Sequence, residues 1–221
     1  MTDKKNTIPK PFDGSFYDAD YFERGKQSGK GWLENYHWMP RRSFREGLAY
    51  IGHLGLDKRS YVLDFGCAKG FIVKALRELE IKADGCDISS YALSFAPKGC
   101  WNCTNPKSWQ EHSNMYTHIA CKDVLEHLTV QQLHTTFQNL ALVAPIMMCV
   151  IPMGDNGVYR IPEYHTEISH LVIENESWWK KLFEEVGWSV KKDTNHVPGL
   201  KDNWMQVPNG NHVFVLERKK R

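Results

Sequence analysis

Short apolar runs alternate with amphipathic stretches along most of the 221-residue chain. Seven runs are predicted as strands, at 60–64, 82–86, 99–102, 116–121, 146–151, 188–192 and 213–217. Apolar residues at helical spacing predict helices at 71–80, 90–95, 131–142 and 176–186. Strands and helices that alternate in this way favour an α/β fold with a doubly wound, mostly parallel sheet of seven strands.

A segment rich in aromatic residues precedes the first strand. We expect residues 1–54 to form an N-terminal extension that caps a catalytic domain at 55–221. Residues 1–11 are polar and are predicted to be loosely attached, whereas the apolar spacing over 41–54 predicts an amphipathic helix. The fifth strand is followed by a long polar insertion at 152–175, and loops of this length are often functional.

The composition is that of an ordinary globular protein, with 42% hydrophobic and 24% charged residues. A formal net charge of +2 gives no general electrostatic reason to expect a nucleic-acid partner. No apolar run approaches the roughly 20 residues of a membrane helix, and the first residues lack the apolar core of a signal peptide. We therefore expect a cytoplasmic protein without a membrane or nucleic-acid partner, and the composition leaves its oligomeric state open.

The cysteines do not predict a metal site. There are six, and only Cys100 and Cys103 form a close pair. A structural zinc site needs a second pair of ligands at suitable spacing, and none follows this pair. The sequence therefore predicts reduced, mostly buried thiols and no bound metal.

The stretch Tyr-Val-Leu-Asp-Phe-Gly-Cys-Ala-Lys-Gly at 61–70 predicts a cofactor loop. A buried strand ends there, and small residues lead the chain into a helix, so a ligand can lie against the backbone. A dinucleotide fingerprint starting at Gly66 would need glycine where Ala68 and Phe71 stand, and a phosphate-binding P-loop would need Gly-Lys-Ser or Gly-Lys-Thr at its end. Asp87 closes the second strand, where a carboxylate can accept hydrogen bonds from both ribose hydroxyls. The spacing thus favours a nucleoside-bearing ligand.

These residues resemble the class I S-adenosylmethionine-dependent methyltransferases. Residues 62–70 look like the first motif of that family, with alanine at the usual middle glycine, and Gly-Cys-Asp-Ile-Ser at 85–89 looks like the second. The resemblance implies a Rossmann-like sheet whose last strand is antiparallel, and S-adenosylmethionine as the cofactor. The cofactor-binding residues that it implies are Asp64, Gly66, Cys67, Ala68, Gly70, Asp87, Ile88, Asn102 and Asp123. Asn102, or its neighbour Cys103, would replace the acid usual after the third strand.

Two further segments resemble methyltransferases that act on small molecules. Asp-Val-Leu-Glu-His at 123–127 is similar to a segment common in enzymes for small molecules and sugars, and no Asn/Asp-Pro-Pro-aromatic motif of amino-methyltransferases stands there. Glu-Ile-Ser-His at 167–170 resembles a segment of small-molecule O-methyltransferases. Because transfer to a hydroxyl requires removal of its proton, the catalytic candidates are His165, His170 and Asp123.

We therefore expect transfer of a methyl group from S-adenosylmethionine to a small-molecule or sugar-like acceptor, and O-methylation in particular. Two alternatives stay open. The basic tail at 217–221 and the exposed aromatic residues would suit an RNA or protein methyltransferase, and Ala68 would suit a non-catalytic binding member of the fold.

Overall fold

The computed structural model describes residues 11–219, so the prediction for residues 1–10 lies outside the described part of the chain. Two helices precede the sheet, α1 over Ala19–Ser28 and α2 over Pro40–Leu54. Helix α1 was not predicted; its first turn is capped by the Asp18 carboxylate, which accepts from the Tyr21 N–H. Helix α2 confirms the amphipathic helix expected there, and it ends at Gly55 with a φ of +64°.

Nine strands follow within the described residues. They are β1 Tyr61–Phe65, β2 Lys82–Asp87, β3 Trp101–Asn102, β4 His118–Lys122, β5 Ile146–Pro152, β6 Gly154–Asp155, β7 Val158–Tyr159, β8 Trp188–Thr194 and β9 Asn211–Arg218. Seven of them form one sheet in the order β3-β2-β1-β4-β5-β9-β8, and β6 and β7 pair separately. The first five strands of the large sheet are parallel, and β9 is antiparallel to both β5 and β8. The predicted seven-stranded sheet with its antiparallel last strand is confirmed.

The remaining helices connect these strands. They are α3 Phe71–Glu78, α4 Ser90–Leu93, α5 Pro106–Glu111, α6 Val130–Val143 and α7 Glu176–Glu185. All four predicted helices are present with shifted ends, whereas α5 and the β6–β7 hairpin were not predicted. The start of α6 follows from its sequence, because Thr129 and Gln132 cap each other's backbone N–H groups. Single 3₁₀ turns lie at Leu125–His127, Pro162–Thr166 and Asp202–Trp204.

Both faces of the sheet are covered. Leu63 faces a buried cluster that includes Phe137 of α6, while its neighbour Val62 faces the cluster that includes Tyr50 of α2 and Leu76 of α3. Burial on both faces is what a parallel sheet requires, and it explains why these strands are continuously apolar. No helix within residues 11–219 is long and apolar enough to cross a membrane.

The sheet order reverses at β1, which lies between β2 and β4. In such sheets ligands bind beyond the carboxyl ends of the strands next to the reversal. The N-terminal segment covers this edge, because Tyr17, Tyr21 and Phe22 form a buried cluster with Ala92 of α4 and Ile88. The fold therefore encloses the loops that follow β1, β2 and β4.

Candidate active site

A cavity of about 710 Å³ lies at this edge of the sheet. It is within the range of about 300–1,000 Å³ that is usual for small-molecule sites. Most of the lining comes from the N-terminal segment and α2, the loops after β1, β2 and β4, helix α6, the insertion at 152–175, and the loop that carries Lys201. Residues distant in sequence thus converge on one enclosed space.

The loop after β1 forms the floor of the cavity. The N–H groups of Gly66 and Cys67 both donate to the Cys86 carbonyl of β2, at 2.8 and 3.0 Å, which fixes the loop to the neighbouring strand. Gly66 has a φ of +77°, and a Cβ there would meet the Val124 side chain, with Cγ1 at 3.0 Å and Cγ2 nearer still. Ala68 has a φ of +49°, in the region that favours glycine. The alanine at the position where the family usually has glycine therefore sits in a strained backbone conformation.

Asp87 joins this loop to the end of β2. Its Oδ2 accepts from the Ala68 N–H and its Oδ1 from the Ser89 N–H, each at 2.8 Å. Burial raises the pKa of this carboxyl, and the backbone N–H groups partly offset that effect. Each carboxylate oxygen can accept a further hydrogen bond, so a ligand in the cavity can still be bound here.

Five of the predicted cofactor residues line the cavity: Gly66, Ala68, Asp87, Ile88 and Asp123. Four others, Asp64, Cys67, Gly70 and Asn102, are not part of the lining. Asp64 is buried, and its burial raises its pKa well above the usual range. The Asn102 Oδ1 accepts from the Thr104 N–H at 2.9 Å, while Cys103, the alternative considered for that position, does line the cavity.

Asp123 is held between two lysines. Its carboxylate lies 2.9 Å from the Lys122 Nζ and 2.6 Å from the Lys201 Nζ, and Lys201 also donates to the Tyr164 hydroxyl at 3.0 Å. Burial would raise the pKa of Asp123, but the two ammonium groups more than offset this and hold it well below its usual range. The two ion pairs therefore occupy this carboxylate.

Three ionisable side chains lie together at the 3₁₀ turn after β4: Glu126 and His127 of the turn and His170 of the insertion. His127 and His170 have ring centroids 4.6 Å apart, and the His170 Nε2 is 3.9 Å from the Glu126 Oε1. Burial lowers the pKa of His127 to about 4 and that of His170 to about 2, and it raises that of Glu126. Both imidazoles are therefore neutral near pH 7.

No family model matches the chain, and no curated protein matches it either. Solved structures do match. An S-adenosylmethionine-dependent methyltransferase from Archaeoglobus fulgidus superposes with a TM-score of 0.59 at 13% identity, covering 79% of this chain and 94% of that one. The chain has the class I methyltransferase fold.

Two more solved structures share this fold. A methyltransferase from Haloferax volcanii, solved in complex with the Trm112 methyltransferase activator, gives a TM-score of 0.62 at 14% identity and covers 83% of this chain and 92% of its own. The magnesium protoporphyrin IX methyltransferase of Synechocystis PCC 6803, with bound SAH, gives a TM-score of 0.56 at 15% identity. That match covers 81% of this chain and 84% of the Synechocystis chain. At these identities the likeness establishes the methyltransferase fold and leaves the acceptor open.

The insertion at 152–175 carries both histidine candidates, but only one of them lies at the cavity. His170 lines the cavity, whereas His165 is not part of the lining, and its Nε2 accepts from the Tyr159 N–H at 3.0 Å. His165 is thus bound to the backbone of the insertion itself. Of the catalytic candidates, only His170 and Asp123 face the enclosed space.

Glu167 connects the insertion to the N-terminal segment. It is only 3% exposed, and a Cβ at Gly31 would lie 2.8 Å from its Cδ, so the glycine is needed for the two segments to approach. Burial raises the pKa of Glu167 to about 7, and the Ser169 hydroxyl, which donates to Oε1 at 2.7 Å, limits that rise. Glu167 and Lys201 both line the cavity, although the sequence analysis gave neither a role. Glu167 stood in a quoted motif, but nothing in the sequence near Lys201 points to the site.

Proposed function

We propose that the protein transfers the methyl group of S-adenosylmethionine to a hydroxyl of a small, sugar-like molecule. The observation that carries this proposal is Asp87, which binds the Ala68 N–H and lines the cavity at the end of β2. A carboxylate in this place suits the two ribose hydroxyls of the cofactor. The glycine-bearing loop beside it suits the rest of the nucleoside, because its backbone is open to the cavity.

The acceptor would lie between the cofactor and the N-terminal segment. The cavity lining combines aromatic rings, such as Tyr17 and Tyr21, with neutral hydrogen-bonding side chains of α6, such as Gln131 and Asn139. Such a mixture suits a hydroxylated molecule, because the rings cover its apolar faces while the amides bind its hydroxyls. The covering segment at 11–54 supports a small acceptor rather than a macromolecule.

Methyl transfer is an in-line displacement, so holding the acceptor oxygen, the methyl carbon and the sulfur in line can supply much of the acceleration. The acceptor hydroxyl must also lose its proton. Of the three predicted catalytic residues, we propose His170 as the one that acts on the acceptor. Asp123 is paired with two lysines, and His165 lies outside the lining.

Calorimetry with S-adenosylhomocysteine tests the cofactor proposal. We expect the full-length protein to bind it, and Asp87→Ala to weaken binding at least about 100-fold, because hydrogen bonds to a charged acceptor contribute about 1.5–3 kcal/mol each. Asp20→Ala on α1, outside the cavity lining, is the matched control and should bind normally. An absence of binding by the wild-type protein, or equal binding by Asp87→Ala, would refute the proposal.

The acceptor class needs a separate measurement. Cell extract is divided by size into a small-molecule filtrate, RNA and protein, and each fraction is incubated with the enzyme and methyl-labelled S-adenosylmethionine. We expect label to enter the filtrate and to withstand acid and base as an ether does. Label confined to the RNA or protein fraction would favour one of the macromolecular alternatives instead.

A further inference from the structure

Glu126, His127 and His170 each offer one ligand atom, and these atoms all lie within 4.8 Å of one another. Glu126 is completely buried, and neither of its carboxylate oxygens has a hydrogen-bond partner among the described residues. The buried Nδ1 of His170 has none there either. The 3.9 Å between the Glu126 Oε1 and the His170 Nε2 is too long for a hydrogen bond. Polar atoms buried in this way are costly unless something binds them.

The main chain holds these side chains together. The Glu126 carbonyl accepts from the N–H groups of Leu171 at 2.7 Å and of Val172 at 3.1 Å. These two bonds attach the insertion to the 3₁₀ turn directly after His170. The side-chain cluster is therefore a fixed feature of the fold rather than a chance approach of two loops.

The orientation of His127 is also fixed. Its Nδ1 lies 2.8 Å from the Ser169 hydroxyl, which in turn donates to the Glu167 Oε1 at 2.7 Å. Histidines that bind metals usually engage their second ring nitrogen in this manner, which fixes the ring and its tautomer. With Nδ1 engaged, Nε2 is the atom that remains for a ligand.

The nearby lysine does not satisfy Glu126. The Lys201 ammonium is paired with Asp123 at 2.6 Å and with the Tyr164 hydroxyl at 3.0 Å. Within residues 11–219, no Lys or Arg nitrogen lies within 4.0 Å of the Glu126 carboxylate, and His170 is its only ionic neighbour at that distance. A bound proton would also neutralise Glu126, but the resulting O–H would itself need an acceptor.

We propose that Glu126, His127 and His170 bind one divalent transition-metal ion. Two imidazoles and one carboxylate suit ions such as Zn²⁺ or Mn²⁺ and leave further coordination positions free. Bonds of about 2.0–2.2 Å in a tetrahedral site separate the ligand atoms by about 3.4 Å, so the 3.9 Å between the Glu126 Oε1 and the His170 Nε2 shortens by about 0.5 Å when the ion binds. The sequence analysis predicted no metal because it considered only cysteine pairs as ligands.

All three side chains line the cavity, so the free coordination positions face its interior. The role of the ion rests on the proposed function. An acceptor hydroxyl bound to the ion releases its proton to solvent more readily. The oxygen lone pair then forms the bond to the methyl carbon, and the electron pair of the carbon–sulfur bond returns to sulfur. His170 thereby acts on the acceptor through the ion.

Calorimetric titration tests this site with the full-length protein, which is first treated with a chelator to remove bound metal. The titration is made with Zn²⁺ and again with Mn²⁺, because thiols bind Mn²⁺ weakly and contribute little to the second measurement. We expect one equivalent of metal to bind, and Glu126→Gln and His170→Asn each to weaken binding at least 10-fold. His165→Asn, in the same insertion, and Cys103→Ser, which controls for thiols, should bind as the wild type does. The site is wrong if the wild type binds no stoichiometric metal, if both substitutions leave binding intact, or if only Cys103→Ser abolishes it.

A second measurement covers variants that fail to fold. Anomalous diffraction from wild-type crystals soaked in Zn²⁺ should give a peak among the three side chains, and a peak only elsewhere would overturn the site. Titration of the same samples with S-adenosylhomocysteine separates the two proposals. Cofactor binding without metal binding refutes the metal site alone, whereas metal binding without cofactor binding refutes the proposed function alone.

Discussion

Substitution of Gly66 by alanine tests how closely the cofactor loop packs against the loop after β4. Gly66 has a φ of +77°, a conformation that costs about 1–2 kcal/mol for a residue with a Cβ. The new Cβ would also meet the branched side chain of Val124, whose Cγ1 lies at 3.0 Å and whose Cγ2 lies nearer. Overpacking of this kind typically adds about 1–3 kcal/mol.

Gly157 provides the matched control. It stands in the β6–β7 turn with a φ of +78°, and no atom lies within 4 Å of the position its Cβ would take. Gly157→Ala therefore carries the backbone strain without the steric contact. Since alanine also restricts the unfolded chain by about 0.4–1 kcal/mol, we expect a net loss of about 1 kcal/mol at Gly157 and about 2–4 kcal/mol at Gly66.

The assay is urea denaturation at constant pH, with the free energy of unfolding extrapolated to water. A third variant, Val124→Ala, removes the methyl groups that the new Cβ would meet. In the double variant we expect Gly66→Ala to cost about 1–3 kcal/mol less than it does alone, which is a coupling free energy between the two sites. Equal losses at Gly66 and Gly157, or no coupling with Val124, would refute the reasoning.

Three further outcomes are expected. Ala68→Gly should raise the free energy of unfolding by up to about 1 kcal/mol in urea denaturation, because it relieves a φ of +49°; no gain would contradict this. Because burial raises the pKa of Glu167 to about 7 from 4.5, the protonated side chain is favoured in the fold, and this stability, full below about pH 4.5, is lost by about pH 7. Thermal melts of the wild type and of Glu167→Gln, both in a metal chelator, measure this effect. Between pH 5 and 8 the free energy of unfolding of the wild type should fall by about 3 kcal/mol relative to that of the variant, and parallel pH profiles would refute this. Lys201→Met should lower the free energy of unfolding at pH 7 by about 2–3 kcal/mol, because the Asp123 carboxylate, whose side chain is only 28% exposed, loses one of its two ammonium partners. Lys192→Met, at an exposed position, is the control, and equal losses for the two variants would count against the ion pair.

The sheet could be predicted from sequence because its signals are local. Buried parallel strands such as β1 and β5 are continuous apolar runs, and each amphipathic helix between them shows its own spacing. Helix α1 was missed because its sequence is largely polar and aromatic without a clear apolar repeat. The Asp18 cap and the packing of Tyr21 and Phe22 against Ala92, which lies 70 residues or more away in the chain, give it its stability.

The loop after β1 and the acid at the end of β2 could be predicted for the same reason. The acid and glycine spacing of the loop after β1 is a short-range pattern, and Asp87 follows at the end of the next strand. Which of these residues reach the cavity could not be predicted. Asp64 is buried on the same face of β1 as Val62, and Cys67 packs into the core, because alternation along a strand and a tight turn decide the direction of each side chain.

The part of the cavity proposed for the acceptor depends on contacts between segments that are far apart in the chain. Lys201 reaches Asp123 across 78 positions, and Glu167 approaches the backbone of Gly31 across 136. Neither contact is indicated by a periodic pattern in the sequence, because each depends on where loops cross above the sheet. The histidines show the consequence most clearly: His165 and His170 look equivalent in sequence, yet the backbone bonds from Leu171 and Val172 to Glu126 bring only His170 beside the 3₁₀ turn. The side chains of the loops that cover the cavity meet only after folding, so no local pattern in the sequence marks them as parts of one site.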